Sequence, residues 1–159
     1  MKTVYLIQLV TATLFIAAGF VRPAEGSSPS QAGSCKPTPP DMLGPFYKPN
    51  APVRSRVGEG YVVGGVVRTT DCSPLNGARV EFWLVGPDGE YDDDHRATMY
   101  AGKNGAYRFA SSFPPPYAGR PSHIHIRVSA PGCRTLVTQH YPGPGQSKAM
   151  FDLVLEPER

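Results

Sequence analysis

The sequence predicts an all-β fold, a single-domain sandwich of short, mainly antiparallel strands. Three observations carry that expectation. Apolar and polar residues alternate at period two, most clearly in Val80, Phe82 and Leu84 against Arg79, Glu81 and Trp83. Turn-forming clusters such as Ser73-Pro74-Leu75-Asn76-Gly77 recur along the chain, at the roughly eight- to twelve-residue spacing of β-sandwiches. After the first 26 residues there is no amphipathic helical run of about ten residues. A chain of 159 residues is one domain by default.

In chain order, Lys2 precedes an apolar run from Val4 to Phe20, followed by the polar stretch Arg22 to Ser28. That order is a secretory signal peptide, expected over residues 1–26 and cleaved near Gly26. A membrane anchor is the alternative, but Gln8, Thr11 and Thr13 dilute a run already short for a bilayer span. The expected location is therefore secreted or periplasmic, with no membrane association once the signal is gone. Residues 27–43 read as a flexible, Pro-rich leader and residues 44–159 as the folded domain.

Tyr61–Thr70 is a valine-rich strand whose Gly64-Gly65 interruption suggests a bulge. Ala78–Val85 is the best-patterned strand. Ala97–Ala101 and Ala106–Ser111 flank Gly102-Lys103-Asn104-Gly105, which predicts a hairpin. Asp92-Asp93-Asp94 is too acidic for a packed strand, and Phe113 to Pro116 is extended loop. A strand carrying Ile124, Ile126 and Val128 ends at Pro131-Gly132, and Thr135–Tyr141 and Met150–Leu155 supply two more.

The formal charge is +3, and loss of residues 1–26 removes Lys2, Arg22 and Glu25, leaving +2. So weak a charge, without a Lys/Arg cluster, offers no electrostatic footprint for nucleic acid. Cys35, Cys72 and Cys133 match no zinc-ligand spacing, and export permits a disulfide. Three single pairings exist; the expected one is Cys35–Cys72, tying the leader to a tight turn and leaving Cys133 as a thiol.

His123 and His125 sit on the polar face of the strand whose other face is Ile124, Ile126 and Val128. Two imidazoles two residues apart on a strand can address one metal ion, and imidazole suits iron, zinc, copper and nickel alike. The plainer alternative is a hydrogen-bonded pair on a polar face. Tyr91 and Tyr117 lie beside turns, where each taken singly reads as an ordinary half-buried aromatic.

Together, Gly44-Pro45-Phe46-Tyr47, Pro74 to Trp83, Gly89-Glu90-Tyr91, Pro116-Tyr117, Arg120-Pro121-Ser122-His123-Ile124-His125 and Thr138-Gln139-His140-Tyr141 resemble, in order, the intradiol ring-cleavage dioxygenases. That family includes catechol 1,2-dioxygenase and protocatechuate 3,4-dioxygenase, and the likeness runs from about Gly44 to Leu155. The resemblance implies a mononuclear Fe(3+) centre. Its metal ligands would be Tyr91, which stays bound, Tyr117, which substrate displaces, and His123 and His125. It implies catalytic roles for Tyr117, Arg120 beside the bound ring and Gln139 behind it. The partners implied are a small aromatic diol and O2, and the products muconate-type diacids.

Arg120 has an alternative as a surface ion pair with Asp92, Asp93 or Asp94, and Gln139 as a bridge between backbone groups. His95 and His140 match no ligand position and are expected to be structural. Only five residues separate Tyr117 from His123, which predicts a short loop and an open site. The N-terminal helical region through which catechol dioxygenases dimerise has no counterpart, so that dimer is not expected and the oligomeric state stays open. The rival reading is a transthyretin-like binding module with a residual or non-catalytic metal site. A zinc-binding exported protein is a weaker third.

Overall fold

The computed structural model describes residues 33–158; the expected signal peptide and the start of the leader lie outside the described residues. Eight strands follow: β1 (Tyr61–Thr69), β2 (Arg79–Trp83), β3 (Arg96–Tyr100), β4 (Ala106–Ser111), β5 (Ile124–Ser129), β6 (Leu136–His140), β7 (Lys148–Met150) and β8 (Leu153–Leu155). They form two sheets. In the first, β1 is flanked by β4 on one side and by β7 and β8 on the other; the second has the order β3-β2-β5-β6.

Period-two alternation sends Tyr61, Val63 and Val67 of β1, Phe109 of β4, Val80 and Phe82 of β2, and Ile124, Ile126 and Val128 of β5 into one core. Phe82 and Phe109 stack across the two sheets with centroids 4.1 Å apart and planes 4° from parallel. Burial of each such ring is worth about 1.5–3 kcal/mol.

Three expectations about the strands need correction. The predicted hairpin does not form: β3 pairs with β2 (Phe82 opposite Ala97) and β4 with β1 (Val63 opposite Phe109). The Gly102–Gly105 turn closes locally, with the Gly102 N–H on the Ala106 carbonyl at 2.9 Å, but then hands the chain from one sheet to the other. Turn residues specify a reversal, whereas the partner is chosen by where Phe109 must go to meet Phe82. Nor is there a bulge at Gly64-Gly65, where β1 pairs without a break against β4 from Tyr61 to Val66. The glycines instead allow close approach: a Cβ on Gly65 would collide with the Phe151 carbonyl. It is the expected strand Met150–Leu155 that breaks. It is split into β7 and β8, both parallel to β1, and Asp152 Oδ1 takes the Val66 N–H at 2.8 Å between them.

From Cys35 onward the predicted leader is part of the fold. Its backbone bonds Thr70 and Val154 beside the first sheet, then Val137 of β6 through the Asp41 N–H. It crosses the outer face of the second sheet and reaches Thr98 of β3 and Ala110 of β4 through residues 52–57. Proline-dense chain suits this extended course, since it needs few donors and loses little entropy. The belt covers both edges of the second sheet, β6 and β3. The Cys35–Cys72 disulfide fastens its start, with Cα atoms 5.2 Å apart, and Cys133 is a buried thiol, both as expected.

Candidate metal centre

The belt turns the outer face of the second sheet into an interior. On an uncovered sandwich the alternate residues of β2 and β5 would face water. Here Glu81, Trp83, His123 and His125 are each no more than 2% exposed. Trp83 stands opposite His125 in the β2–β5 register, and their rings stack at 4.9 Å, 7° from parallel. Tyr47 of the belt packs edge-on against Trp83 and meets the buried Glu81, which is neutralised by Arg127 at 2.6 Å and Arg79 at 3.0 Å.

A cavity of about 340 Å³ opens on this face, lined by Tyr91, Tyr117, His123 and His125 together with Arg120 and the belt residues Met42, Gly44, Pro45 and Phe46. The structure therefore brings all four sequence-predicted donors to one place. The Tyr91 hydroxyl lies 3.1 Å from His123 Nε2, the Tyr91 and Tyr117 rings are 5.1 Å apart, and those of His123 and His125 are 4.8 Å apart. Phe46 stacks on Tyr91 at 4.2 Å and meets Tyr117 edge-on. Gly44 is favoured: its φ is +72°, where a side chain is strained, and a Cβ there would lie 3.1 Å from His125 Cε1. Tyr117 and Arg120 flank a two-residue turn, joined by both backbone hydrogen bonds, with Ala118 and Gly119 at φ 49° and 77°. The short Tyr117–His123 connection thus sets one donor and one cation side by side.

The two imidazoles are in the protonation state that a metal needs, and the tautomer of His123 is set. His123 Nδ1 donates to the Pro121 carbonyl at 2.7 Å, which leaves the Nε2 lone pair facing Tyr91. Burial, then the neighbouring His123, lowers His125 to about 4, and burial also lowers His123, so both rings are neutral at pH 7. Among the described residues the buried Nδ1 of His125 has no hydrogen-bond partner. Burial raises the Tyr91 phenol to about 12; Arg120 opposes that shift and Tyr117 adds to it. A phenol held protonated in an apolar wall awaits a cation rather than titrating by itself. Among the described residues no three His, Cys, Asp or Glu side chains converge, so it is the phenols that complete the set. Two hard phenolate oxygens and two neutral imidazoles fit a ferric ion.

Arg120 makes no ion pair with the acidic run. Its Nη2 donates to Gln139 Oε1 at 2.7 Å and to the Tyr141 hydroxyl at 3.0 Å. Gln139 Nε2 donates to the Met42 carbonyl at 2.7 Å, so Gln139 joins the belt to Arg120. Asp92 caps its own loop and holds His95 Nδ1 at 2.8 Å, while Asp93 binds Lys48 and Arg96. His140 faces the core, its Nε2 2.6 Å from the Tyr61 hydroxyl. Both of these histidines lie outside the cavity lining, bonded to Asp92 and Tyr61 respectively. Trp83 and Tyr141 belong to the quoted motifs without an assigned role, and Asp41 belongs to none. The Trp83–His125 register pair and the belt's course bring them to the site, and neither has a local signature.

Fold and cavity define a β-sandwich protein with a mixed phenol–imidazole cluster on one sheet face. No family model matches the chain. The dioxygenase domain of a dioxygenase–carbohydrate-binding protein fusion from Streptomyces sp. SirexAA-E is 30% identical, with a TM-score of 0.68 over 77% of this chain and 100% of that one. Catechol 1,2-dioxygenase of Candida albicans is 36% identical over 137 residues, covering 63% of this chain and 45% of the relative. Chlorocatechol 1,2-dioxygenase of Cupriavidus pinatubonensis is 27% identical over 160 residues, covering 79% and 58% respectively. The chain spans about half the length of these curated relatives. It belongs to the intradiol ring-cleavage dioxygenase family.

Proposed function

We propose that this chain is an exported intradiol dioxygenase. Its reaction opens the ring of a catechol-type diol between the two hydroxylated carbons, with O2, at Fe(3+) held by Tyr91, Tyr117, His123 and His125. The observation that carries the reading is the convergence of those four donors on one apolar cavity, with the His123 tautomer already set by Pro121. The Cys35–Cys72 bridge supports the exported location, since such bonds persist in oxidising compartments.

Bound ferric iron supplies Lewis acidity, which favours the doubly deprotonated diol and its reaction with O2. The residues do the rest. Tyr91, clamped by Phe46, stays in place. Tyr117 is half-buried at the edge of a turn whose Ala118 and Gly119 are exposed, and its phenolate oxygen would take one proton from the diol, the other leaving to solvent. The Arg120 guanidinium is permanently charged and stabilises negative charge developing on the substrate oxygens. Met42, Pro45 and Phe46 keep bulk water from the ring. Both atoms of O2 enter the product, one in each new carboxylate.

The test is a spectrum followed by an assay. The iron-loaded protein should be red to burgundy, with about one iron per chain, because tyrosinate-to-iron charge transfer absorbs visible light. With catechol and air it should consume oxygen and form an ultraviolet-absorbing muconate rather than a yellow semialdehyde. A colourless zinc protein, or a coloured one that consumes no oxygen with any of a broad panel of catechols, overturns the proposal in favour of a binding module.

A further inference from the structure

Tyr141, which is neither in the donor set nor in the cavity lining, sits at the hub of the hydrogen bonds behind Arg120. Just beyond the end of β6, its hydroxyl lies 2.8 Å from Asp41 Oδ2, 3.0 Å from Arg120 Nη2 and 3.1 Å from Gln139 Oε1. A phenol has one proton to give, and the shorter, charged acceptor is Asp41. Burial raises the Asp41 carboxyl, but hydrogen bonds from the Met42 N–H and the Tyr141 hydroxyl outweigh it and hold the group below the usual range. The phenol oxygen is then free to accept from Arg120, and Gln139 Oε1 accepts the second Nη2 proton at 2.7 Å. Both protons of Nη2 are thereby committed. Among the described residues, Nε and Nη1 of Arg120 have no such partner, and Arg120 lines the cavity.

We propose that Tyr141, braced by Asp41 of the belt, is a positioning residue that holds the Arg120 guanidinium so that Nε and Nη1 serve the oxygens of a bound diol. The proposal rests on the reading of the cavity as a diol-cleaving site. An arginine standing on a two-residue turn has many rotamers, and each hydrogen bond made in advance removes entropy that substrate binding would otherwise have to overcome. Asp41 comes from the belt, Tyr141 from beyond β6 and Arg120 from the turn. One hydroxyl therefore couples the three segments around the cavity.

The experiment compares the iron-loaded wild-type chain with Tyr141→Phe, Asp41→Asn, Arg120→Ala and the Tyr141→Phe/Arg120→Ala double variant. Tyr141→Phe should lower kcat/KM for catechol about tenfold, as expected for one hydrogen bond to a charged group. Iron content, tyrosinate colour and thermal midpoint should not change. In the Arg120→Ala background the same substitution should have no further effect, because the group it positions is gone. Asp41→Asn should give a smaller loss of the same kind. Losses that multiply in the double variant, or a Tyr141→Phe enzyme with wild-type kinetics, overturn the proposal. Exchange of the Arg120 Nη2 protons, followed by NMR on the metal-free chain, separates this result from failure of the functional reading. Exchange should be at least about tenfold faster in Tyr141→Phe, and equal exchange overturns the bracing. A wild-type enzyme inert toward every catechol overturns the functional reading instead.

Discussion

The outer faces of the two sheets begin from the same physics and end differently. In the first sheet, Val62, Gly64 and Val66 of β1, with Ala106 and Arg108 of β4, line an open groove of about 530 Å³ beside Met150, which is 80% exposed. In the second sheet the belt crosses β6, β5, β2 and β3 and buries the residues that alternation turns away from the core. The groove is the larger hollow and presents no imidazole or carboxylate; the belted cavity is smaller and holds every candidate ligand. What makes a site here is cover, not concavity. Beneath the belt, burial keeps the two cavity imidazoles neutral at pH 7 and raises the Tyr91 phenol to about 12.

The largest effect expected from disturbing that contrast comes from the donors. His125→Ala on the belted face should abolish iron binding, colour and oxygen uptake, as measured by metal analysis and an oxygen electrode. Quenching of the single tryptophan, Trp83, by added ferric iron should disappear as well, since its ring lies against His125.

Next comes the belt's anchor. Replacing both Cys35 and Cys72 by Ser removes a bridge across 37 residues and should lower stability in urea by about 3–4 kcal/mol. Hydrogen exchange should localise part of the loss. The Asp41 N–H, bonded to Val137, should lose protection while β1–β4 amides keep relatively more.

Acid should weaken the metal-free fold in a defined window. His123, His125 and His140 are all lowered from 6.5 by burial, His125 to about 4. The unfolded chain therefore binds more protons below pH 6.5. Their contribution is complete above that value and is lost as pH falls through the folded values. His140 lies on the core face with Tyr61, away from the donors. His140→Gln should reduce the slope of stability against pH by up to about one proton, measured as urea midpoints between pH 7 and 4.

The smallest effect is expected on the open face. Met150→Lys should change stability by less than about 0.5 kcal/mol and leave oxygen uptake unaltered, because the side chain is already in solvent. A large loss of activity there would show that the two faces are coupled.

Much of this could be read from local pattern. Val80, Phe82 and Leu84 disclose a core face because burial imposes period two wherever a strand has one wet and one dry side. The four donors stand out through separate short motifs, each holding its residues within a few positions. Tyr141 and Asp41 are 100 residues apart and share no pattern, so their hydrogen bond could not be foreseen.

By itself the sequence determined most of the strands, their apolar faces and the four candidate donors, since these depend on neighbours along the chain or on motifs the chain carries whole; it left three cysteine pairings open, of which Cys35–Cys72 was the expected one. The tertiary structure alone decided three things: that β3 and β4 part into different sheets, that the Pro-rich leader is a belt, and that Trp83 and Glu81 lie in an interior. Alternation states which residues leave the core, but it cannot say whether water or another segment waits there. That depends on long-range packing, in which Phe109 must meet Phe82 and residues 35–57 must find both edges of the second sheet.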